Sequence, residues 1–240
     1  MARCGSCGQQ NPEGFRFCGN CATPLPVVPA GGREERKIVS VLFCDLVGFT
    51  TRSERADPED VRATLRAYHD SVRREIERFE GTVEKFIGDA VMAVFGAPVA
   101  HDDDPERAVR AALRVIQALT EINRERPELD LTVRIGVNTG EAVVALGARP
   151  DLGEGMVAGD VVNTASRLQQ VAPVGGVVVG EITHRATSHA FDYEELEPVT
   201  VKGKAEPIPV WRAIGLRARL GVTSCKRQRP SSGASTISPC

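Results

Sequence analysis

The chain has 240 residues, 42% of them hydrophobic and 26% charged: room for one sizeable globular domain plus a small appendage, and neither a fibrous nor a disordered composition. A formal charge of −2 and 5% aromatic residues exclude a basic nucleic-acid binder with an aromatic stacking platform. No apolar run approaches the roughly 18 residues of a membrane helix and the N-terminus lacks a signal-peptide core, so no membrane contact and a cytoplasmic location are expected. The charge is unevenly spread. From Pro207 onward there are six basic residues and no acid, which leaves residues 1–206 with 24 basic and 32 acidic side chains, a charge of −8.

Four of the seven cysteines form Cys4-x2-Cys7 and Cys18-x2-Cys21, with ten residues between the pairs. Two thiolate pairs on tight turns supply a tetrahedral set for Zn²⁺. Gly5, Gly8 and Gly19 give the turns freedom to aim N–H groups at sulfur. Four free thiols, or two disulfides of a secreted peptide, are the alternatives, and the twin turns favour zinc. About twenty residues cannot bury a core without such a staple, and the set has no open ligand position, so a structural zinc ribbon over residues 1–25 is expected. Its outward role stays open between docking a protein partner, contacting nucleic acid and spacing. With two Arg and no Lys in residues 1–32, nucleic acid is the weakest of these.

A Pro/Gly-rich linker, 26–34, leads into the main domain, 35–215. Ile38–Cys44 reads as a buried strand. Asp57-Pro58-Glu59-Asp60 opens a helix with an N-cap, a proline in the first turn and acids near the dipole's positive end. Its apolar stripe is Val61, Leu65, Tyr68, Val72, Ile76 and Phe79, and Gly81 stops it. Thr82–Ile87 and Ala90–Phe95 read as a hairpin about Gly88-Asp89. A second helix starts at Asp104-Pro105-Glu106, carries Val109, Leu113, Ile116 and Leu119, and ends at Pro127. Leu131–Val137 is a fourth strand, with Ala142–Leu146 as a separate fifth after a Thr139-Gly140 turn.

The resulting order, β-α-β-β-α-β, is the ferredoxin-like or palm arrangement of an α+β domain. Extra C-terminal α/β elements follow: a helix over Gly159–Val171, a strand over Gly176–Val179, a short helix over Glu181–Ser188, and a closing hairpin of Val199–Val201 with Ile208–Ile214. Residues 216–240 form a basic, Ser/Pro-rich tail expected to be disordered.

Asp45 follows the first strand, and Asp89 sits in the hairpin turn. In this topology the first and third strands are central neighbours, so the two carboxylates meet at one edge. Singly, each reads as a turn residue. Together they would repel unless a hard cation joined them, and Mg²⁺ takes one or two carboxylates plus phosphate oxygens. Asn163 and Arg167, four apart, share one helix face. An amide and a guanidinium there suit a ribose and phosphate charge, while taken alone Arg167 reads as a solvated helix residue and Asn163 as a mid-helix accident. The four histidines, His69, His101, His184 and His189, are scattered and read as solvated.

The strings VLFCDLVGFT, KFIGDAVMAVFG, VRIGVNTGE and GDVVNTASRL, in that order, resemble the class III adenylate/guanylate cyclase catalytic domains across roughly residues 35–215. The combination with a ribbon resembles bacterial zinc ribbon–cyclase–ATPase proteins, without the ATPase part. The resemblance implies that Asp45, the Leu46 carbonyl and Asp89 hold two Mg²⁺ or Mn²⁺ ions per site. It makes Lys85 the purine contact, Asn163 the ribose-orienting residue, Arg167 the transition-state arginine and Arg134 a phosphate contact. Lys202 or Lys204 would add a further phosphate contact. It also implies a homodimer whose two sites each draw residues from both copies.

The implied reaction is ATP to 3′,5′-cyclic AMP plus pyrophosphate. One position departs from the pattern. Met156 stands seven residues before Asn163, where adenylate cyclases of the family carry an Asp or Thr that accepts from the adenine amine. A cyclase relaxed between ATP and GTP, and a nucleotide-binding regulatory module with little turnover, are therefore the competing readings. A palm-type diguanylate cyclase would need a GGDEF-like hairpin, and Phe86-Ile-Gly-Asp-Ala90 is not one.

Overall fold

The computed structural model describes residues 2–4, 6–11, 17–21, 23, 34–54, 56–145, 148, 155–200 and 206–217. Two short strands, β1 (Ala2–Arg3) and β2 (Gln10–Asn11), pair antiparallel beside the cysteines. The main domain begins with β3 (Glu34–Leu46), followed by a five-residue helix α1 (Phe49–Ser53) and by α2 (Pro58–Arg78). The cap of α2 is as the sequence suggests. The Asp57 carboxylate accepts from the Glu59 N–H at 2.9 Å, and Pro58 takes the first turn. Strands β4 (Thr82–Ile87) and β5 (Ala90–Phe95) form the hairpin about Gly88, whose φ of 64° suits a residue without a Cβ. Then come α3 (Asp104–Glu125), a 3₁₀ turn at Pro127–Leu129, and β6 (Val133–Ala145). The chain closes with β7 (Val157–Ala158), α4 (Asp160–Val171), β8 (Val177–Gly180), α5 (Glu181–Thr187), β9 (Phe191–Val199) and β10 (Ile208–Leu216).

The strands build one sheet in the order β4-β5-β3-β6-β8-β10-β9, with β7 beside β6. All pairings are antiparallel except that of β6 with β8. β3 is flanked by β5 and β6, as a β-α-β-β-α-β order requires. The α+β reading holds, and three details differ. β6 runs unbroken through Thr139-Gly140, because all thirteen of its residues pair with β3, so the separate fifth strand is its second half. The closing hairpin pairs β10 with a much longer strand than Val199–Val201, namely β9 from Phe191. The short elements α1 and β7 escape a periodicity reading altogether.

Alternation along β3 sorts the core into two layers. Leu42, Cys44 and Leu46 join Tyr68, Val72 and Ile76 of α2 and Val109 of α3. Val39 and Val41 join Met92, Val94, Met156 and, from α4, Val161 and Ala165. The helices α2 and α3 thus cover one face and α4 the other. No described helix is long and apolar enough to cross a membrane. Of the four histidines only His189 is exposed to solvent as expected, and the other three are half-buried. His69 Nε2 meets the Gly88 carbonyl at 3.0 Å, His101 bridges Glu80 and Asp104, His184 stacks on Trp211, and His189 lies 3.4 Å from Glu106.

The approach of α4 to the sheet is set by Gly136 of β6. A Cβ there would collide with the Gln169 backbone nitrogen and stand 2.5 Å from the Ala165 carbonyl oxygen. Both obstacles are helix backbone, which cannot rotate away. Gly136→Ala is therefore expected to destabilise the domain by about 2–3 kcal/mol, read as a lowered urea midpoint at unchanged m-value.

Candidate active site

Asp45 is the last odd-numbered residue of β3, so it shares the α4-covered face with Val39 and Val41. Its register partners are Ala90 on β5 and Arg134 on β6. Ala90 directly follows the turn residue Asp89, and the two carboxylates come close enough to sense one another. Burial pushes the Asp45 carboxyl above the usual carboxylate range and the Asp89 charge pushes it further; Gln169 and Arg134 pull the other way. Gln169, buried on α4, donates its amide N–H to Asp45 Oδ2 at a long 3.4 Å. Arg134 carries a buried Nε with no hydrogen-bond partner among the described residues. The turn itself is held from below, where His69 of α2 meets the Gly88 carbonyl.

A half-buried carboxylate whose proton affinity is raised by burial and by its neighbour Asp89, beside an arginine with an unspent donor, is a set that can take a cation and an anion together. Oxygen donors of this kind fit hard divalent ions such as Mg²⁺ or Mn²⁺. Leu46, whose carbonyl the sequence reading adds to the set, is buried at the end of β3 opposite Val133.

Lys85 lies on β4 opposite Met92, hence on the same face. Its ammonium extends into solvent and sits 3.8 Å from Glu84 Oε1. Met156 packs in the apolar layer with Val41 and Met92, 5% exposed, and its carbonyl accepts from the Ala145 N–H. Asn163 and Arg167 share a face of α4, the first exposed and the second half-buried. Among the described residues neither finds a hydrogen-bond or ion-pair partner within the chain. The structure thus gathers Asp45, Asp89 and Arg134 at one end of the central strands and leaves the Asn163 and Arg167 side chains without a partner among the described residues. Lys202 and Lys204 lie outside the described residues. Sequence reasoning missed Gln169, Glu84 and His69 as neighbours of this site, since none stands in a recognisable motif.

At the other end of the chain the four Sγ atoms of Cys4, Cys7, Cys18 and Cys21 lie within 4.8 Å of one another. Cys4–Cys21 and Cys7–Cys18 are separated by 3.6 and 3.5 Å. Tetrahedral sulfur ligation with Zn–S bonds near 2.3 Å has edges of about 3.8 Å, so the set fits zinc as it stands. N–H groups of Cys21 and Asn20 aimed at Cys18 lower that thiol to about 6, the thiolate form that a metal needs.

Comparisons with known proteins identify the family of each part of the chain. Residues 33–212 match the family described as the adenylate and guanylate cyclase catalytic domain, and residues 3–25 match a zinc-ribbon domain. Adenylate cyclase 1 of Rhizobium meliloti is 32% identical over 201 residues, 80% of this chain and 30% of that protein. Adenylate cyclase of Anabaena cylindrica is 30% identical over 192 residues, 75% of this chain and 37% of its own length. The chain therefore spans about a third of each of these relatives. Among solved structures, the adenylyl cyclase CyaB from P. aeruginosa superposes with a TM-score of 0.72 at 27% identity, covering 79% of this chain and all of that one. The guanylyl cyclase Cya2 gives 0.71 at 30% identity, covering 80% of this chain and 98% of that one. A domain matched over three quarters of its chain, with the paired aspartates at one end of the central strands, belongs to the class III adenylate and guanylate cyclase family, and it carries a zinc ribbon at its N-terminus.

Proposed function

We propose that two copies of this chain convert ATP to 3′,5′-cyclic AMP and pyrophosphate at sites shared between them. The observation that carries this reading is the division of labour on one protomer. Asp45, Asp89 and Arg134 converge at one end of the central strands with Lys85 on the same face, whereas Asn163 and Arg167 project from α4 without a side-chain partner among the described residues. A head-to-tail pair would bring one set to the other and produce two equivalent sites.

Asp45, Asp89 and the Leu46 carbonyl would hold the divalent cations. When bound, these supply Lewis acidity that lowers the pKa of the ribose 3′-hydroxyl and neutralises triphosphate charge. The remaining tasks fall to side chains. Arg134 spends its free Nε donor on a phosphate oxygen. Lys85 donates to N1 of adenine, an acceptor that guanine lacks at that position. Asn163 from the partner copy orients the ribose, and Arg167 meets the charge that grows on the α-phosphoryl group as pyrophosphate leaves. Lys202 or Lys204 adds a cation for the terminal phosphates.

A second reading, a cyclase that also accepts GTP, is favoured by Met156. Its side chain is committed to the apolar layer and offers no acceptor to the adenine amine. Guanine O6 also accepts from an ammonium, so Lys85 alone discriminates modestly. Incubation with ATP or GTP plus Mg²⁺ or Mn²⁺ decides between these readings. Cyclic AMP as the main product is expected, and formation of cyclic GMP alone would reverse the assignment.

Residues 1–25 are proposed as a separate structural unit that can receive a protein partner, joined by 26–34 to a catalytic unit ending near residue 215. Metal analysis of the purified chain should find one zinc per chain, lost when Cys4→Ser and Cys18→Ser are combined.

The shared site makes a quantitative demand. Asp45→Ala and Arg167→Ala chains, each inactive alone, should regain about a quarter of wild-type activity when mixed at equal amounts. Half of randomly formed dimers are mixed, and each mixed dimer holds one intact site of two. A verified mixed dimer with no activity would remove the shared site.

A further inference from the structure

Glu84 is the most deeply buried carboxylate among the described residues, the mechanism above leaves it without a task, and its surroundings are those of the base-reading residues. Its side chain is 1% exposed, and among the described residues neither oxygen closes a hydrogen bond. It owes its position to an irregularity of β4. Val83 pairs with Ala93 and Lys85 with the adjacent Met92, so Glu84 is an extra residue, a bulge. The bulge lets Glu84 lie beside Lys85 on the α4-covered side, where strict alternation would send it to the other. Oε1 stands 3.8 Å from Lys85 Nζ, and the carboxylate faces the backbone amides of Met156 and Val157. A Cβ added to Gly155 would lie 3.8 Å from the same oxygen.

Both sides of the expected purine pocket therefore meet at this carboxylate. On one side is the Lys85 ammonium. On the other is the 155–157 segment, already tied to β6 by the hydrogen bond from Ala145 N–H to the Met156 carbonyl. We infer that Glu84 is a positioning residue for purine discrimination: it tethers Lys85 and the 155–157 segment to one another and fixes the height at which the ammonium meets the base. The inference rests on the proposed role of Lys85 at the purine.

The physical argument concerns freedom. A lysine ammonium sits on a stem of four rotatable bonds and carries three donors. Untethered, it follows N1 of adenine or O6 of guanine with similar ease. A charge contact at 3.8 Å restrains the stem and leaves N–H donors pointing outward for the base. Selectivity comes from the restraint. The residue is costly to keep, because a carboxylate buried this deeply, with only long contacts to the Met156 and Val157 amides and to Lys85, is a burden that an apolar side chain of like volume would relieve. Burial accordingly raises the proton affinity of Glu84, and the nearby Lys85 opposes the rise.

The test uses the full chain in four forms: wild type, Glu84→Gln, Lys85→Met and the double variant, with Glu84→Met as a second replacement of matched volume. The measurements are kcat/KM for ATP and for GTP, and the melting temperature. Glu84→Gln is expected to move the ATP-to-GTP ratio toward one by about fivefold at a melting temperature no lower than wild type. In the Lys85→Met background the same change should move the ratio by less than about twofold, since the tethered group is gone. An unchanged ratio in Glu84→Gln and Glu84→Met overturns the inference. So does an equal shift with and without Lys85, and so does a lower melting temperature with equal losses for both nucleotides. Should wild type form neither cyclic nucleotide, the cyclase reading fails by itself. The ratio of ATP to GTP affinities from equilibrium dialysis then decides the Glu84 inference by the same criteria.

Discussion

Thirteen consecutive residue pairs join β3 to β6, and the position of nearly every candidate group follows from that ladder. Its register sets Asp45 opposite Arg134. The pleat then decides that both lie on the face that α4 covers, where Gln169 reaches Asp45 and where Gly136 admits the helix backbone. A slip of one residue would send Asp45 into the layer of Leu42 and Cys44, among α2 and α3. There an ionised carboxylate would have neither solvent nor a cation. The register is protected by apolar packing on both faces, with Val39 and Val41 on one and Leu42, Cys44 and Leu46 on the other. The candidate site is thus positioned by the longest strand pairing among the described residues.

The same sheet shows how charge is tolerated in a buried setting. Asp45 is half-buried, and it is surrounded by a donor from Gln169 and by the positive charge of Arg134. Even so, burial and then the Asp89 charge leave the Asp45 carboxyl above its usual range. The site is therefore electrostatically incomplete as a bare protein, and a divalent cation is what would complete it. The cysteine cluster makes the opposite use of similar logic. Its four sulfurs are already arranged at a closed tetrahedral spacing, which leaves no position for a reactant and suits a structural ion.

Much of this was legible in the sequence, because the elements that matter obey simple periods. The stripe Val61–Phe79, the cap at Asp57 and the Gly88-Asp89 hairpin all appear where pattern and turn chemistry put them. The two aspartates also stand out by position, since Asp45 closes the apolar run of a strand that extends one residue past it and Asp89 occupies the turn between two others. What escaped reading depends on exceptions to period. In β4, Val83 and Phe86 face the same layer although they stand three apart, a spacing that only a bulge permits. A charged residue between them looked like an ordinary exposed position and is instead buried. The continuity of β6 was hidden by Thr139-Gly140, which reads as a turn locally and is overruled by pairing along its whole length with β3. Gln169 and His69 were invisible for another reason: each acts across the sheet on a residue remote in the chain.

The contact at Gly136 has a mechanical consequence. Because α4 rests on β6 backbone to backbone, with no side chain between them to act as a cushion, the helix bearing Asn163 and Arg167 and the strand bearing Arg134 form one stiff unit within a copy. Little displacement of one against the other is available without breaking the packing. If two copies share their sites, each copy then behaves as a rigid jaw that serves two mouths at once. A twist between copies that tightens one mouth must, by symmetry, tighten the other equally. Control of turnover by any attached segment reduces to a single coordinate, the angle at which the two jaws meet.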